Sequence, residues 1–533
     1  MIYQKGDDTN YIEIMNQYNT SDLVAKVLAS KALSEDQLKQ IFSLPKLSDP
    51  FKATGVKAIV ERLKQAVENK DKILICGDYD ADGICATAIM VKACKQIGLT
   101  CGYYIPNRFM EGYGLNEKTV RLAKEKDYQI LLTVDNGVKS VKAAKLCREL
   151  GMEIIISDHH NYDELPECDY FLHPCLMPSF FQSLSGAGVA LLLSRALIGE
   201  DSTSLILAGI ATIGDVMPLW DENRNIVRLA IQSLNEGKCL PIQMLDTHQE
   251  EWNETRIAFQ IVPKLNATGR LSDLANANMT VRYLLSDKED EIIKFSKQMN
   301  ELNELRKIKT EEMNRKAYPL VKSEYPFQVI YDETFHEGLI GIVAGKLSEK
   351  LNRPVMVLTR KEDELKGSIR SRGDLDLRTF FEPCQHLFNA YGGHKSAAGI
   401  SISIDQFKPL RHYINETMKD IFIQDDTVAE YISINLSQLD VNKVASLKQI
   451  APFGQGFLPP LFAIQASDDM NLKTMSQGKH LKWENNEIDL LYFNQGEHYN
   501  EWKRKRNFRF VGSLSINRFA NREKINMMVQ DLI

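Results

Sequence analysis

The sequence predicts a multidomain α/β protein: a parallel-sheet domain, a long connecting helix, a second α/β domain and a β-rich C-terminal domain. Three observations predict this architecture. The 533 residues exceed what one hydrophobic core normally holds, so about two to four domains are expected. Short apolar runs alternate with helical patterns between residues 55 and 220. After residue 425 the chain consists mainly of short strand-like runs.

The composition is that of an ordinary globular protein. Hydrophobic residues make up 44% of the chain and charged residues 26%, which are typical values. No apolar run reaches membrane-spanning length, and the start MIYQKGDDTN lacks the layout of a secretory signal. Nine cysteines without a CxxC pair indicate reduced thiols rather than a disulfide framework or a zinc ribbon. We therefore expect a cytoplasmic protein.

Three apolar runs in the first domain predict buried parallel strands. KILICG (72–77), QILLTV (129–134) and MEIIIS (152–157) are β-rich and apolar throughout, as strands are when helices cover both faces of their sheet. Helix-like segments, CATAIMVKACKQIG and SVKAAKLCRELG, separate them, and the second ends at a glycine.

The remaining chain predicts a long helix and two further domains. In 287–324 Glu and Lys recur at i, i+4 spacing, which predicts a solvated helix without a catalytic role that bridges two domains. FQVIYD, the helix GLIGIVAGKLSEKL, PVMVLT and LKGSIRS then form a second α/β block, and runs such as YISINL and FRFVGSLSI predict a small barrel or sandwich. The predicted boundaries are 1–54 (N-terminal segment), 55–285, 286–324 (helix), 325–424 and 425–533.

Acidic and imidazole side chains follow each predicted strand of the first domain. The clusters are Asp78-Tyr79-Asp80-Ala81-Asp82, Asp135-Asn136-Gly137 and Asp158-His159-His160, and Asp215 ends an apolar helix. Because ligands collect at the carboxyl ends of parallel strands, we expect these clusters to converge on one crevice. A lone Asp after a strand is more often a helix N-cap, and Asp78 is the best placed either to cap a helix or to accept a hydrogen bond within its own loop.

The convergence of so many carboxylates predicts a metal site. Packing them together without cations costs several kcal/mol in repulsion and lost solvation. Oxygen ligands with one or two imidazoles suit Mn²⁺ or Mg²⁺ rather than zinc. Two such ions bridged by a carboxylate are the usual arrangement for cleaving phosphate esters.

The motifs GDYDADG, VDNG, SDHH and GDVMPL, in this order, resemble those of the DHH phosphoesterase superfamily. Within it, NRFMEGYGL, VPKLNATGRL, FHEGLIGIVAGKL, SIRSRG, YGGHKSAAG and PFGQGFLPPLF resemble the RecJ family of single-strand exonucleases. The resemblance covers about residues 50 to 533. It implies that 55–285 is a DHH catalytic domain, 325–424 a DHHA1 domain and 425–533 an OB-fold-like barrel that binds nucleic acid.

The resemblance also implies roles for individual residues. The implied metal ligands, for two ions bridged by Asp135, are Asp80, Asp82, Asp135, His159 and Asp215. His160 is implied to contact the scissile phosphate or to support general acid catalysis, Asp158 to orient the imidazoles, and Asp78 to complete the catalytic group. Relatives often have His at the position of Cys76, so this chain departs from the pattern at the second ion.

Substrate contacts are implied on both sides of a cleft. Arg108 and Arg270 match positions that hold a 5′ phosphate, for which an arginine fork is well suited. From the second domain, Arg370 and Ser371 line the cleft, and a glycine-rich turn presents Gly392, Gly393 and His394. In the C-terminal domain Trp502, Lys503, Arg504 and Arg506 predict a stacking platform for unpaired bases, or else a solvated turn between two strands.

The function that these features predict is a metal-dependent exonuclease. It would degrade single-stranded DNA 5′ to 3′ to 5′ mononucleotides by two-metal activation of water, in DNA repair and recombination, as a monomer with a single-strand-binding protein and a helicase as partners. The net charge of −6 argues against a protein that coats nucleic acid but is compatible with a local basic groove. The alternatives are a phosphodiesterase for short oligonucleotides or cyclic dinucleotides and a strand-binding scaffold with a decayed site.

Overall fold

The computed structural model describes residues 2–533 except 113, 249, 422, 424–427, 468, 506, 520 and 521. The chain divides into two compact units. One comprises Met1–Leu47, Pro218–Arg228 and Thr427–Ile533, and the other comprises Ser48–Met217 and Leu229–Asp426. Among the described residues, no helix combines the length and the apolar character that crossing a membrane requires.

The N-terminal segment is largely helical. Ser21 and Ser34 accept hydrogen bonds from the first turns of two of its helices, which explains where those helices begin. Its elements are β1 (Ile2–Lys5), α1 (Tyr11–Tyr18), α2 (Asp22–Ser30) and α3 (Glu35–Phe42).

The first α/β domain contains the predicted parallel sheet. Its elements are α4 (Val56–Asn69), β2 (Lys72–Cys76), α5 (Ala81–Gln96), β3 (Thr100–Tyr104), α6 (Glu117–Glu125), β4 (Ile130–Val134), α7 (Val141–Glu149), β5 (Glu153–Ser157) and β6 (Tyr170–Leu172). The strands are all parallel, in the order β3-β2-β4-β5-β6. The three apolar runs form the adjacent strands β2, β4 and β5, so the carboxyl ends of these strands lie side by side.

Helices follow the first sheet. They are α8 (Gly186–Ile198), α9 (Ser202–Gly214), α10 (Asp221–Asn235), α11 (Leu240–Leu245), α12 (Glu254–Arg256), α13 (Val262–Arg270), α14 (Ala277–Leu284) and α15 (Glu289–Ala317). A π-helical turn, Ile257–Ile261, joins α12 to α13. Helix α15 is the predicted long helix, and it passes into a 3₁₀ turn at Tyr318, where Pro319 cannot continue the α-helical hydrogen bonds.

The second α/β domain is built on a mixed sheet with the strand order β10-β11-β9-β8-β7. Its elements are β7 (Gln328–Tyr331), α16 (Ile340–Leu351), β8 (Val355–Lys361), β9 (Glu364–Arg370), α17 (Leu377–Phe381), β10 (Ala390–Gly393), β11 (Ala397–Ser403) and α18 (Phe407–Thr417). The prediction that Gly392 and Gly393 lie in a turn is wrong. Gly392 and Gly393 lie in edge strand β10, paired with Gly399 and Ala398, because the chain reverses only after His394.

The C-terminal domain is β-rich, as predicted. Its elements are β12 (Val428–Ile434), α19 (Val441–Ser446), β13 (Leu461–Gln465), β14 (Asn471–Met475), β15 (His480–Glu484), β16 (Ile488–Tyr492), α20 (Tyr499–Arg504), β17 (Arg509–Phe519) and β18 (Arg522–Leu532). The strand order is β1-β12-β13-β17-β18-β16-β15-β14, so the N-terminal strand joins this sheet. The pairings of β13 with β17, β17 with β18, and β15 with both β16 and β14 are antiparallel.

Candidate metal centre and phosphate-binding cleft

Asp80, not Asp78, caps the helix that follows the first acidic strand end. Helix α5 begins at Ala81, so the preceding Asp80 is in the capping position, and its Oδ1 accepts from the N–H groups of Asp82 (3.0 Å) and Gly83 (3.1 Å). Asp78 is therefore not the helix cap, but it does accept a hydrogen bond within its own loop, from the Tyr79 N–H. Asp78 is buried, and its Oδ1 has no hydrogen-bond partner among the described residues. Burial, and then the charge of Asp80, raise the pKa of Asp78 well above its usual value.

Asp82 is fixed by the first turn of α8. Its Oδ2 and Oδ1 accept from the N–H groups of Gly186 and Ala187, each at 2.7 Å, where a helix N-terminus stabilises negative charge. The position before the helix is Ser185, whose Oγ caps it. A Cβ on Gly186 would lie 2.4 Å from Asp135 Oδ1. Helix α8 can therefore approach both carboxylates only with glycine at this position.

Asp135 occupies an uncommon backbone conformation directly after β4. Its φ is 62°, a left-handed value that costs a non-glycine residue energy and that is found preferentially at functional sites. Its N–H donates to the Ser157 carbonyl at 3.0 Å. The neighbouring Asn136 braces the turn, since its side-chain amide donates to the carbonyls of Cys76 and Val134.

His159 lies where three carboxylates from separate segments meet. Its Nε2 is 3.1 Å from Asp135 Oδ1 and 3.6 Å from both Asp82 Oδ2 and Asp215 Oδ2. This buried nitrogen nevertheless has no hydrogen-bond partner among the described residues. Burial lowers the pKa of His159 despite the neighbouring carboxylates, so a neutral ring with a lone pair available for a cation is favoured.

Three overlapping groups of potential ligand atoms surround this point, each group within 4.8 Å. They are Asp82–His159–Asp215, Asp135–His159–His160 and Asp78–Asp80–Asp135. Burial and the charges of Asp82 and Asp80 raise the pKa of Asp215 to about 8, which reflects carboxylates crowded without a counter-charge. Oxygen-rich donors of this kind fit hard divalent cations. Asp135 belongs to two of the groups, as a residue shared by two ions would.

His160 and Asp158 form a hydrogen-bonded pair beside the acidic groups. His160 Nδ1 lies 2.8 Å from Asp158 Oδ1, and the Val138 and His159 N–H groups donate to the same carboxylate. Burial disfavours the charged imidazole, but the hydrogen bond and the charge of Asp158 outweigh it, so the pKa of His160 is raised. The ring is thereby both oriented and predisposed to carry a proton.

Cys76 is not part of the convergent groups. Its side chain packs in an apolar cluster with Leu74, Leu131 and Cys147. Burial raises the pKa of the Cys76 thiol, so the thiolate that would bind a metal is disfavoured. The departure from the family pattern at this position therefore removes a potential ligand rather than replacing it with sulfur.

Arginine side chains gather next to the acidic site. The Arg108 guanidinium lies 5.0 Å from the centre of the Tyr79 ring. Burial and the charges of Arg108, Arg306 and Arg370 lower the pKa of Arg270 to about 10. The guanidinium groups of Arg108, Arg306 and Arg370 therefore lie close enough to disfavour the charge on Arg270. A cluster of four such cations strongly attracts a phosphate anion.

In the second α/β domain, the predicted substrate-binding residues Arg370 and Ser371 differ in how their side-chain hydrogen bonds are used. Arg370 Nη1 donates to Ser368 Oγ (3.2 Å) and to the Ile369 carbonyl (2.9 Å), which orients the guanidinium. The Ser371 hydroxyl donates to the Leu375 carbonyl at 2.6 Å, so its proton is used within its own loop.

His394, which follows Gly392 and Gly393, lies within electrostatic range of charged groups of the first α/β domain. Partial desolvation of the His394 ring lowers its pKa, and the charges of Lys139 and His160 lower it further. A Cβ on Gly393 would lie 2.4 Å from the Ala397 carbonyl oxygen. Only glycine therefore fits at this point of the strand pair.

Models of three domain families match the chain. They are the DHH family N-terminal domain (residues 72–214), the DHHA1 domain (324–420) and the RecJ OB domain (432–531). The single-stranded-DNA-specific exonuclease RecJ of Bacillus subtilis strain 168 is 31% identical over 554 aligned residues, which cover 99% of this chain and 70% of the relative. The chain belongs to the RecJ family.

Other RecJ proteins are similar in sequence or fold. RecJ of Haemophilus influenzae is 31% identical, with 79% of each chain covered. The structure of RecJ from Thermus thermophilus in complex with Mn²⁺ matches with a TM-score of 0.86 and 24% identity, covering 100% of this chain and 79% of that one. An exonuclease RecJ bound to manganese matches with a TM-score of 0.62 and 30% identity, covering 70% and 96%.

Sequence reasoning missed several residues of this RecJ-family site. Gly186 and Ala187 anchor Asp82 through their N–H groups, and Ser185 caps the helix that carries them. The signal for these residues in the sequence is a serine before two glycines in SGAG. Arg306 comes from α15, whose regular Glu and Lys spacing indicated only a solvated helix. Asn266 accepts a hydrogen bond from the Ala81 N–H at 2.8 Å and so connects α13 to the acidic turn.

The structure differs from the predicted base-stacking platform in the C-terminal domain. Trp502, Lys503 and Arg504 lie in helix α20, so the alternative of a turn between strands is wrong. The ring of Trp502 lies 5.3 Å from that of Phe508, and Lys505 Nζ lies 4.3 Å from the Trp502 ring centre, so part of the indole surface is already in contact with the protein. Lys503 and Arg504 are exposed, and Arg506 lies outside the described residues.

Proposed function

We propose that this chain is a metal-dependent exonuclease that degrades single-stranded DNA from the 5′ end to 5′ mononucleotides. The observation that carries this proposal is the meeting of Asp82, Asp135 and Asp215 around His159 Nε2, next to a cluster of arginines. The family's named activity on single-stranded DNA supports the substrate. The cations are Mn²⁺ or Mg²⁺, two in number.

Some of these side chains would bind the ions, and others would bind the DNA strand. Asp80, Asp82, Asp135, His159 and Asp215 would hold the ions, and the Asp78 carboxylate is a further potential ligand within reach of Asp80 and Asp135. Divalent cations bound there would neutralise phosphate charge and lower the pKa of water. Arg108, Arg270 and Arg370 bind the terminal 5′ phosphate. His160, held by Asp158, donates a hydrogen bond to the scissile phosphate or a proton to the departing 3′ oxygen.

The domains extend these roles along the strand. We assign 55–285 to catalysis, 325–424 with Ser371, Gly392, Gly393 and His394 to the opposite wall of the cleft, and 425–533 to strand binding. Lys503 and Arg504 are the exposed candidates for contacts to the strand backbone in α20. We further propose that the enzyme is a cytoplasmic monomer acting in DNA repair and recombination with a helicase and a single-strand-binding protein.

The test compares digestion of 3′-labelled single strands by the wild type and by Asp135→Ala in Mn²⁺. Asp135 is shared by two ligand groups, so we expect the rate to fall by at least about a hundredfold. The exposed Asp163 provides the matched control, and Asp163→Ala should digest at the wild-type rate. Full activity in Asp135→Ala would contradict the proposal.

The substrate class is tested by comparing a trinucleotide with a long single strand. The wild type should release mononucleotides from the long strand progressively from the 5′ end. A protein that cleaved only the trinucleotide, or that bound the strand without metal-dependent turnover, would not be this enzyme.

A further inference from the structure

A few hydrogen bonds among residues near Arg108 stabilise the loop that carries it. Asn107 Oδ1 accepts from the Phe109 N–H at 3.0 Å, and Glu111 Oε2 accepts from the Asn107 N–H at 2.8 Å. The Tyr104 hydroxyl donates to the same carboxylate at 2.7 Å. These bonds close the turn, but none of them involves the Phe109 carbonyl, which follows Arg108 by one residue.

The second domain reaches this carbonyl. Lys361, the last residue of β8, donates from Nζ to the Phe109 carbonyl oxygen at 2.7 Å. Glu337 Oε2 lies 3.2 Å from the same Nζ, and the ammonium is 5.9 Å from the Phe109 ring centre. Both Lys361 and Glu337 are partly buried, so this ion pair is stronger than an exposed one.

The loop before α16 completes the contact. The His336 ring meets the Phe109 ring edge-on at 5.7 Å, and its Nε2 lies 3.1 Å from Asp273 Oδ1. A Cβ on Gly338 would lie 2.9 Å from Phe109 Cζ and 1.9 Å from the Arg270 carbonyl oxygen. The same short loop of the second domain therefore lies against the backbone or side chains beside both phosphate-binding arginines.

We propose that Lys361, paired with Glu337, is a positioning residue that sets the conformation of the Arg108 loop and thereby the enzyme's discrimination for a 5′-phosphorylated end. A hydrogen bond at the Phe109 carbonyl fixes the Phe109–Met110 peptide, one residue beyond Arg108. It thereby restricts the backbone of the loop and the direction from which the Arg108 guanidinium enters the cleft. Recognition of the terminal phosphate then requires the second domain to be seated on the first. This inference rests on the proposed function of Arg108.

The test is metal-free binding of 3′-labelled single strands that end in a 5′ phosphate or a 5′ hydroxyl, measured by fluorescence anisotropy in EDTA. Lys361→Met keeps the length of the side chain and removes the charged donor. We expect the ratio of the two affinities to fall by about tenfold or more, as loss of a charged hydrogen bond implies. Lys361→Arg, which keeps a donor, should restore most of the ratio.

Lys366→Met is the matched control, because Lys366 forms an equivalent pair with Glu364 at 2.7 Å in the neighbouring strand β9. It should bind with the wild-type ratio, and thermal unfolding should show all three variants folded. A wild-type ratio in Lys361→Met, or no preference for the phosphate in the wild type, would overturn the inference. Because binding is measured without metal, a wild type that prefers the phosphorylated strand but fails to digest it would contradict the proposed function alone.

Discussion

Gly186 links the two buried carboxylates that define the site. Its N–H holds Asp82, while its missing Cβ leaves the space that Asp135 occupies. The sequence was enough to identify Asp82 and Asp135 as site residues, because acidic side chains follow one predicted strand after another. The sequence could not show that residue 186 must be glycine, because the atoms with which a Cβ would collide belong to Asp135, which is distant in the sequence.

Gly186→Ala is expected to weaken Mn²⁺ binding by at least about tenfold, because the new methyl group must displace the Asp135 carboxylate. Isothermal titration calorimetry measures this directly. Gly188→Ala is the matched control in the same helix, since its Cβ would meet the Leu184 side chain, with Cδ2 at 3.0 Å and Cβ at 3.3 Å, and no carboxylate. Equal affinities in the two variants would contradict the close approach of α8 to Asp135.

Mn²⁺ binding should strengthen as pH rises towards about 8. The pKa of Asp215 is raised to about 8 by burial and by Asp82 and Asp80, so below that pH the ion must displace a proton. The raised pKa also means that the metal-free fold loses stability as pH increases from the unfolded pKa towards about 8. Calorimetry at about pH 6 and about pH 9, in buffers of different ionisation enthalpy, should show proton release that is greater at the lower pH. Affinity independent of pH would contradict the crowded-carboxylate account.

At the scale of elements, the buried central strands were predictable and the long-range associations were not. Strands β2, β4 and β5 are continuous apolar runs, whereas edge strand β3 is only partly buried and mixed in character. The N-terminal helices gave no sign that they cover the C-terminal sheet. Leu28 of α2 belongs to the same core cluster as Ile432 and Phe462, more than 400 residues away.

Leu28→Ala should lower the free energy of unfolding by about 2–5 kcal/mol, because Leu28 is only 1% exposed in this core. Denaturant titration followed by Trp fluorescence measures the change. Leu44→Ala is the control, since Leu44 is 89% exposed, and its effect should stay within about 0.5 kcal/mol. A similar small effect for Leu28→Ala would mean that α2 is not part of this core.

At the scale of the whole molecule, the active site is assembled from distant parts of the chain. Strand ends of one sheet supply acidic and imidazole groups, and Asp215 follows the last residue of α9. Helices α13 and α15 and the second domain supply guanidinium groups. The chain is much longer than catalysis alone requires, and this length is explained if several domains bind the same DNA strand. The motifs predicted which segments meet. The contact from the second domain to the Phe109 carbonyl, next to Arg108, comes from Lys361, which lies outside those motifs.

The central claim is that these separate segments enclose two divalent cations. Anomalous diffraction at the manganese edge, from crystals grown with Mn²⁺, tests it most directly. We predict two peaks, one near Asp82, His159 and Asp215 and the other near Asp78 and Asp80, with Asp135 in contact with both. A map without a peak within coordination distance of Asp82, Asp135, His159 and Asp215 would contradict the account.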